Sequence, residues 1–437
     1  MNFARFPRYF SSLALLAMMG FSHHAQSAPT PLTDINYIPS VGQSLSVGWT
    51  ANPVVSTEQP FKNIMFAGGV RPYETGNDKS RFVPLVESTS PPNGPRGETP
   101  VSGAAEFFIR FLKTSNSPLA GKTQILGAAN GIGGVSITAL VKGTGPYQNI
   151  LDDLEQGKKL AGMEKKTFSM PGFIWTQGET DQQDKKEKDW YKQQMTTLIR
   201  DLNQDAKKIT GQKNDLYCFG YQVGSHLNYH AQNPTDYATI AIAQLELALD
   251  PESRYIMTTP MYHLTYSDGV HLTAPMSKLY GAHIGYVMKQ VLADGKKWLP
   301  IHPVSHKIVK RGTQWAIYVK FHTPVAPLVL DTETISDPGN YGFSLIGEDG
   351  TAKTISSVEV TSPGVICITT ADNPSKAHIR YGMTLNAKLP SGPRTGARGC
   401  LRDSQGNTVT ATIDGENHRL DNWCPFFDYD LAGKNNH

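Results

Sequence analysis

Cysteine is scarce in this chain, its charges nearly cancel, and past the N-terminus no apolar run is long enough to cross a bilayer. Four of the 437 residues are cysteines. Neither the spacing of Cys218, Cys367, Cys400 and Cys424 nor their histidine neighbours have the form of a structural zinc site. Lysine and arginine number 41 against 38 aspartates and glutamates, a formal charge of +3. No basic block stands out, so charge gives no ground for a nucleic acid or an anionic membrane as partner. Internal repeats and low-complexity tracts are missing too, and the composition is not that of a disordered, collagenous or coiled-coil chain. A soluble globular protein of two or three domains fits these totals.

What is present begins with a leader pattern. Arg5 and Arg8 precede the apolar run Leu13 to Phe21, and Ala25-Gln26-Ser27-Ala28 follows. A positive start, a short apolar stretch and a small-x-small site predict a secretory signal peptide over residues 1–27, cut near Ser27. The run is too short to span about 30 Å of hydrocarbon as a helix; an uncleaved anchor is the alternative. The expected location is secreted or periplasmic, with no membrane partner after cleavage. Export permits disulfides. Cys218 and Cys367 sit in apolar strand-like runs and read as buried thiols. Cys400 and Cys424 lie in Gly- and Asp-rich loop sequence, which leaves open a Cys400–Cys424 bridge stapling the tail.

From about residue 35 to 295, short apolar runs alternate with amphipathic stretches. Strands are predicted at Ile35 to Val41, Thr123 to Gly127, Phe168 to Trp175, Asp215 to Tyr221 and Tyr255 to Thr258. Helical three-and-four spacing marks Phe107, Phe108, Phe111 and Leu112, and recurs around Leu151, Leu198 and Ile284; the pattern around Ile242 is less regular. Such alternation implies a parallel sheet covered on both faces, with functional residues in loops at the carboxyl ends of its strands. The stretch Pro53 to Pro100, rich in Pro, Gly, Ser and Asn, is too long for an ordinary connection; it reads as one wall of a substrate cleft or as a structural excursion. After Pro300 short β-rich segments between Gly, Pro and Asp turns predict a sandwich-like unit. The expected division is 28–300 and 301–437.

Chemistry-bearing residues gather at the predicted strand ends. Gly42-Gln43-Ser44-Leu45-Ser46-Val47-Gly48 holds a serine in a glycine-flanked turn, a setting that can expose its hydroxyl but is also common in ordinary turns. Ser267-Asp268-Gly269-Val270-His271-Leu272 puts Asp and His three apart in a loop, so that His271 can take a proton from Ser44 while Asp268 holds its tautomer. Trp175-Thr176-Gln177-Gly178-Glu179-Thr180-Asp181 offers the Gln177 amide as a donor to an oxyanion. Gln177 and Glu179 as mere loop supports, and Asp181 as a helix cap, are the plainer readings. The glycines of Asn130-Gly131-Ile132-Gly133-Gly134-Val135-Ser136 permit close backbone approach and can supply an N–H donor. His226, His263 and His306 lack a comparable setting and read as surface or packing residues.

The order Gly-Gln-Ser, Gly-Gly-x-Ser-Ile, Trp-x-Gln-Gly-Glu-x-Asp and Asp-Gly-x-His-Leu resembles the SGNH hydrolase superfamily, within it the sialate O-acetylesterase and carbohydrate acetylesterase group. The resemblance covers about residues 35–295. It implies a three-layer α/β/α, flavodoxin-like parallel sheet, followed here by the β-rich C-terminal domain. It implies Ser44 as nucleophile with Asp268 and His271 completing the triad. The implied oxyanion donors are the Ser44 N–H, the Gly134 N–H (Gly133 as near alternative) and the Gln177 amide, with Gln43 and Glu179 in support. Leu45 stands where the group often has Asn, and Val135 where Thr is frequent, which puts the acyl pocket in doubt but no triad atom. The expected substrate is an acetylated carbohydrate, hydrolysed without metal or organic cofactor. Rival readings are a carbohydrate-binding or adhesion protein with an inactive esterase-like domain, and a general lipase or esterase. Trp423, Phe426 and Phe427 near the tail read as core or as a glycan-binding platform.

Overall fold

The computed structural model describes residues 31–91, 94–225, 238–383 and 390–433; the expected leader, its cleavage site and His226 lie outside them. One eight-stranded sheet contains β1 (Ile35–Gly42), β2 (Ile64–Phe66), β3 (Phe82–Pro84), β4 (Gln124–Ala129), β5 (Phe168–Ser169), β6 (Gly172–Thr176), β7 (Tyr217–Gln222) and β8 (Tyr255–Pro260). Its order is β3-β2-β4-β1-β6-β7-β8, with β5 also beside β1. Only the β2–β3 pair is antiparallel. β1, β6, β7 and β8 are buried along their whole length. Strands with no exposed face need cover on both sides, which is why they read as continuous apolar runs rather than alternating ones.

That cover comes from α1 (Pro100–Thr114), α2 (Gly145–Met163), the short α3 (Glu179–Gln183), α4 (Lys188–Thr210), α5 (Thr239–Leu249) and α6 (Ala274–Met288). α1 packs on α6, while α4 packs against α2 and α5, giving the three-layer α/β/α arrangement. The α1–α6 crossing is close because glycine lines it. A Cβ on Gly281 would stand 2.5 Å from the Pro100 carbonyl oxygen and 2.7 Å from the Ala104 nitrogen. The irregular apolar pattern of α5 has a physical reason as well. Ala241 and Ile242 are buried in a second apolar cluster with Tyr262, Trp423 and Phe426, so the helix has apolar contacts on more than one side.

The single strand expected from Phe168 to Trp175 is split at Met170-Pro171 into β5 and β6. This break matches Pro39 in β1, which has no N–H to give: the ladder on that side uses Ile35 and Asn36, then resumes at Ser40. β2 and β3, within the Pro53 to Pro100 stretch, had no clear sequence signal; each has only three residues. Glu98, near the end of this stretch, closes it on its own beginning by accepting hydrogen bonds from the Val55 and Ser56 amides at 2.9 and 3.0 Å.

From His302 the chain is antiparallel. β9 (His302–Arg311) and β10 (Gln314–His322) form a hairpin extended by Val365–Thr370 and Ile355–Ser362. A second four-stranded sheet joins Ala352–Lys353, Phe343–Gly347, Ala377–Tyr381 and Phe427–Asp430. Cys218 in β7 and Cys367 in the first of these sheets are buried thiols. The bridge left open between Cys400 and Cys424 is not formed: both are free and buried. Each thiol instead faces a backbone carbonyl, Cys400 that of Ile335 at 3.4 Å and Cys424 that of Pro425 at 3.6 Å.

Candidate active site

β1 lies between β4 and β6, so consecutive connections leave it in opposite directions. Such a switch point opens a crevice at the carboxyl ends of the strands. The turn after β1 carries Ser44, the loop after β4 carries Gly131 to Gly134, and the loop after β6 carries Gln177. Gly42 lets β1 approach β6, since a Cβ there would stand 2.0 Å from the Thr176 carbonyl oxygen. The Gln43 N–H donates to that oxygen at 2.9 Å. Ser44 then opens a 3-10 turn, Ser44–Val47. The first amides of such a turn have no acceptor within it, and the Ser44 N–H has no partner among the described residues.

His271 reaches this serine from the loop between β8 and α6. Its Nε2 is 2.7 Å from Ser44 Oγ, and its Nδ1 is 2.7 Å from Asp268 Oδ2. A carboxylate can only accept here, so Nδ1 carries the ring proton and Nε2 is the acceptor for the serine hydroxyl. The loop shapes itself: Asp268 Oδ1 accepts from the Val270 and His271 amides at 3.0 and 2.8 Å. The Ser267 N–H and hydroxyl both donate to the His271 carbonyl, at 2.7 and 3.0 Å. Burial opposes charge on Asp268, but the hydrogen bonds from the His271 ring and the two amides outweigh it, and its carboxyl titrates below the usual range.

The glycine loop approaches from the other side. Gly133 is the nearer of the two candidates, since a Cβ built on it would lie 3.8 Å from the Ser44 Cβ. Gly134 has φ +69°, a left-handed conformation that favours glycine. Neither amide has a hydrogen-bond partner among the described residues.

Gln177 departs from expectation. It is fully buried, and its Nε2 donates to Asp181 Oδ2 at 2.6 Å and to the Val135 carbonyl at 3.2 Å. Tyr191 donates to its Oε1 at 3.2 Å. Both amide hydrogens are thus used, and none is left for an oxyanion. Asp181 is no helix cap either: it lies within α3, where its carboxylate also accepts from the Ser136 hydroxyl and, at 3.0 Å, the Ile137 amide. Together the pair clamps the end of the glycine loop. Gln43 Oε1 is 3.3 Å from the Thr180 N–H at the start of α3. Buried Glu179 accepts from Tyr221 at 2.5 Å. Burial pushes its carboxyl up to about 7, the Tyr221 hydroxyl and a backbone bond opposing that and nearby Asp181 adding to it.

Residues without a sequence signal complete the surroundings. The Trp49 ring stands 6.4 Å from that of His271, and the Arg96 guanidinium lies over Trp49 at 5.9 Å. Thr50 and Ser267 hydroxyls meet at 2.7 Å. His263 and His306 are packing residues, the first stacked on Trp423 and the second edge-on to Tyr429. Among the described residues, no group of three or more His, Cys, Asp or Glu is arranged to hold a metal ion.

Residues 107–290, which include the glycine loop, Gln177, Asp268 and His271, match the family model described as carbohydrate esterase, sialic acid-specific acetylesterase. Over that segment the α/β part is similar to the sialate O-acetylesterase group of carbohydrate esterases. The protein is accordingly a carboxylic ester hydrolase acting on acetylated carbohydrate. Ser44 itself lies before the matched segment. A structure described as a novel carbohydrate acetylesterase from Xanthomonas citri is 15% identical, with a TM-score of 0.54 over 91% of this chain and 80% of that chain. That likeness is one of fold, and its extent takes in much of the β-rich part of this esterase. A protein of Arabidopsis thaliana, 17% identical, covers 60% of this chain and 99% of its own at a TM-score of 0.46. No curated protein sequence matches the chain.

Proposed function

We propose that this esterase is exported and removes O-acetyl groups from a sialic acid, glycan or polysaccharide through a Ser44–His271–Asp268 triad. The observation that carries the reading is the unbroken hydrogen-bonded chain from Ser44 Oγ through both nitrogens of His271 to Asp268, each link 2.7 Å. Ser44 attacks the ester carbonyl while His271 Nε2 takes its proton, and Asp268 stabilises the resulting imidazolium. His271 then protonates the departing sugar oxygen, and water repeats the sequence on the acyl-enzyme.

The proposed oxyanion donors are the free amides of Ser44 and of Gly134 or its neighbour Gly133. Gln177 acts on them through the clamp it forms with Asp181, not as a donor. The α/β part, residues 28–300, carries this chemistry and residues 301–437 form an accessory part. Acetate release from a panel of acetylated sugars and glycans, by the parent and by Ser44→Ala, tests the reading. The variant is expected to be inactive; acetate release at the parental rate overturns the triad.

A further inference from the structure

Two segments of the β-rich part press on the loop that carries Asp268 and His271. At the loop's tip, the Ser391 N–H donates to the Gly269 carbonyl at 3.1 Å, between Asp268 and Val270. The Ser391 hydroxyl donates to the Gly224 carbonyl at 3.2 Å. At the loop's base, the Tyr262 ring is stacked on Phe426 (centroids 5.1 Å apart, planes 20°), and its hydroxyl donates to the Cys424 carbonyl at 2.8 Å. The next residue, His263, is stacked on Trp423 at 5.7 Å and 16°. Gln222, the last residue of β7, locks this tail in place. Its Nε2 donates to the Phe426 carbonyl at 2.9 Å and its Oε1 accepts the Phe426 N–H at 2.7 Å.

These contacts bear on chemistry because the base and its orienting carboxylate sit on a loop, whereas the nucleophile sits on the central strand. A reacting pair displaced by about 1 Å typically loses about 100-fold in rate. Internal hydrogen bonds give the loop its shape, but they do not fix that shape relative to Ser44. The contacts to Ser391, Trp423 and Phe426 hold its tip and the end that leaves β8. The same burial removes the other use of these aromatics: Trp423 is 4% exposed and Phe426 fully buried, so neither offers a face to a sugar ring.

We propose that Ser391, Trp423 and Phe426 are positioning residues, and that the β-rich part serves the reaction by holding the Asp268–His271 loop against Ser44. This rests on the triad reading above. The test uses the full chain and two substrates, 4-nitrophenyl acetate, which carries no sugar, and an acetylated polysaccharide. In Ser391→Pro, which removes the N–H given to Gly269, Trp423→Ala and Trp423→Phe, kcat and KM are measured well below each variant's unfolding midpoint, together with the rate of labelling by a serine-directed phosphonate. Trp423→Ala is expected to lower kcat by about 10- to 100-fold on both substrates with KM within about twofold, and to slow labelling by the same factor. Trp423→Phe keeps a stacked ring and should recover most of that loss, and Ser391→Pro should lose a few-fold. If Trp423→Ala does not fold, Ser391→Pro decides. Parental kcat and labelling in folded variants overturn the proposal, as does a defect seen only as a raised KM on the polysaccharide, which marks a glycan-binding part. Ser44→Ala, run alongside, separates the two readings: activity retained there removes the triad, whatever the positioning variants do.

Discussion

Gln177 has two amide hydrogens, and Asp181 and Val135 take both. In the proposed mechanism the residue therefore acts through the loop it holds and not as a donor. Two predictions follow at this scale. Ser44→Ala should abolish acetate release, and Gln177→Ala should lower kcat by about 10- to 100-fold, less than the roughly 10² to 10³ that follows loss of an oxyanion donor itself. The second prediction separates clamp from donor. Asp181→Ala should cost about as much as Gln177→Ala, and the double variant little more than either, because residues acting as one unit are non-additive. Steady-state kinetics on the three variants check it; if Asp181→Ala retains most activity while Gln177→Ala does not, Gln177 donates directly. Trp49 and Arg96 show the limit of reading residues along a chain. Trp49 stands beside His271, and Arg96 over Trp49, only because the long stretch after β1 folds back, and no spacing rule records that.

α6 begins at Ala274, just beyond His271, so its seating fixes where the histidine loop ends. That seating depends on glycines facing α1. Gly281→Val would thrust two methyl groups into the backbone of Pro100 and Ala104, already 2.5 and 2.7 Å from a built Cβ. The helices must then separate, at a cost of roughly 1–3 kcal/mol or more. A thermal unfolding scan should show the midpoint falling by several degrees, with acetate release reduced in the surviving folded fraction. An unchanged midpoint would mean that the crossing tolerates a side chain. The elements themselves were largely legible: long apolar or three-and-four patterned runs became the parallel strands and the long helices. β2, β3 and the β5–β6 break were not, because strands of two or three residues carry no periodicity and gain their definition from neighbours in the sheet.

At the scale of the whole molecule, two buried carboxyls link stability to pH. Glu98 and Glu179 are each pushed from 4.5 up to about 7, chiefly by burial, with Glu87 adding repulsion at Glu98 and the local hydrogen bonds opposing the shift at both. The folded chain thus binds protons more tightly than the unfolded one between these values. Stability associated with each carboxyl is fully present below about pH 4.5 and is lost as pH rises through about 7. Glu179→Gln removes one such group. Its unfolding midpoint, relative to the parent, should improve between pH 5 and pH 8, by the equivalent of at most about 3 kcal/mol; a constant difference would show that Glu179 does not titrate in that window. The same interior explains Cys400 and Cys424: the sequence put both in loops, but each is enclosed and turned to a carbonyl instead of to its counterpart.

The sequence by itself determined the parallel α/β core and the order in which Ser44, Gly134, Gln177 and His271 arrive at strand ends. Those features arise from local periodicity, turn residues and chain order, which are written along the chain. Only the tertiary structure decided that both Gln177 hydrogens go to Asp181 and Val135, that Cys400 and Cys424 stay apart, and that Trp423 and Phe426 back the histidine loop rather than face solvent. Each of those outcomes depends on partners brought together by packing, and packing is decided by volume and hydrogen-bond competition across the whole interior, not by spacing in sequence.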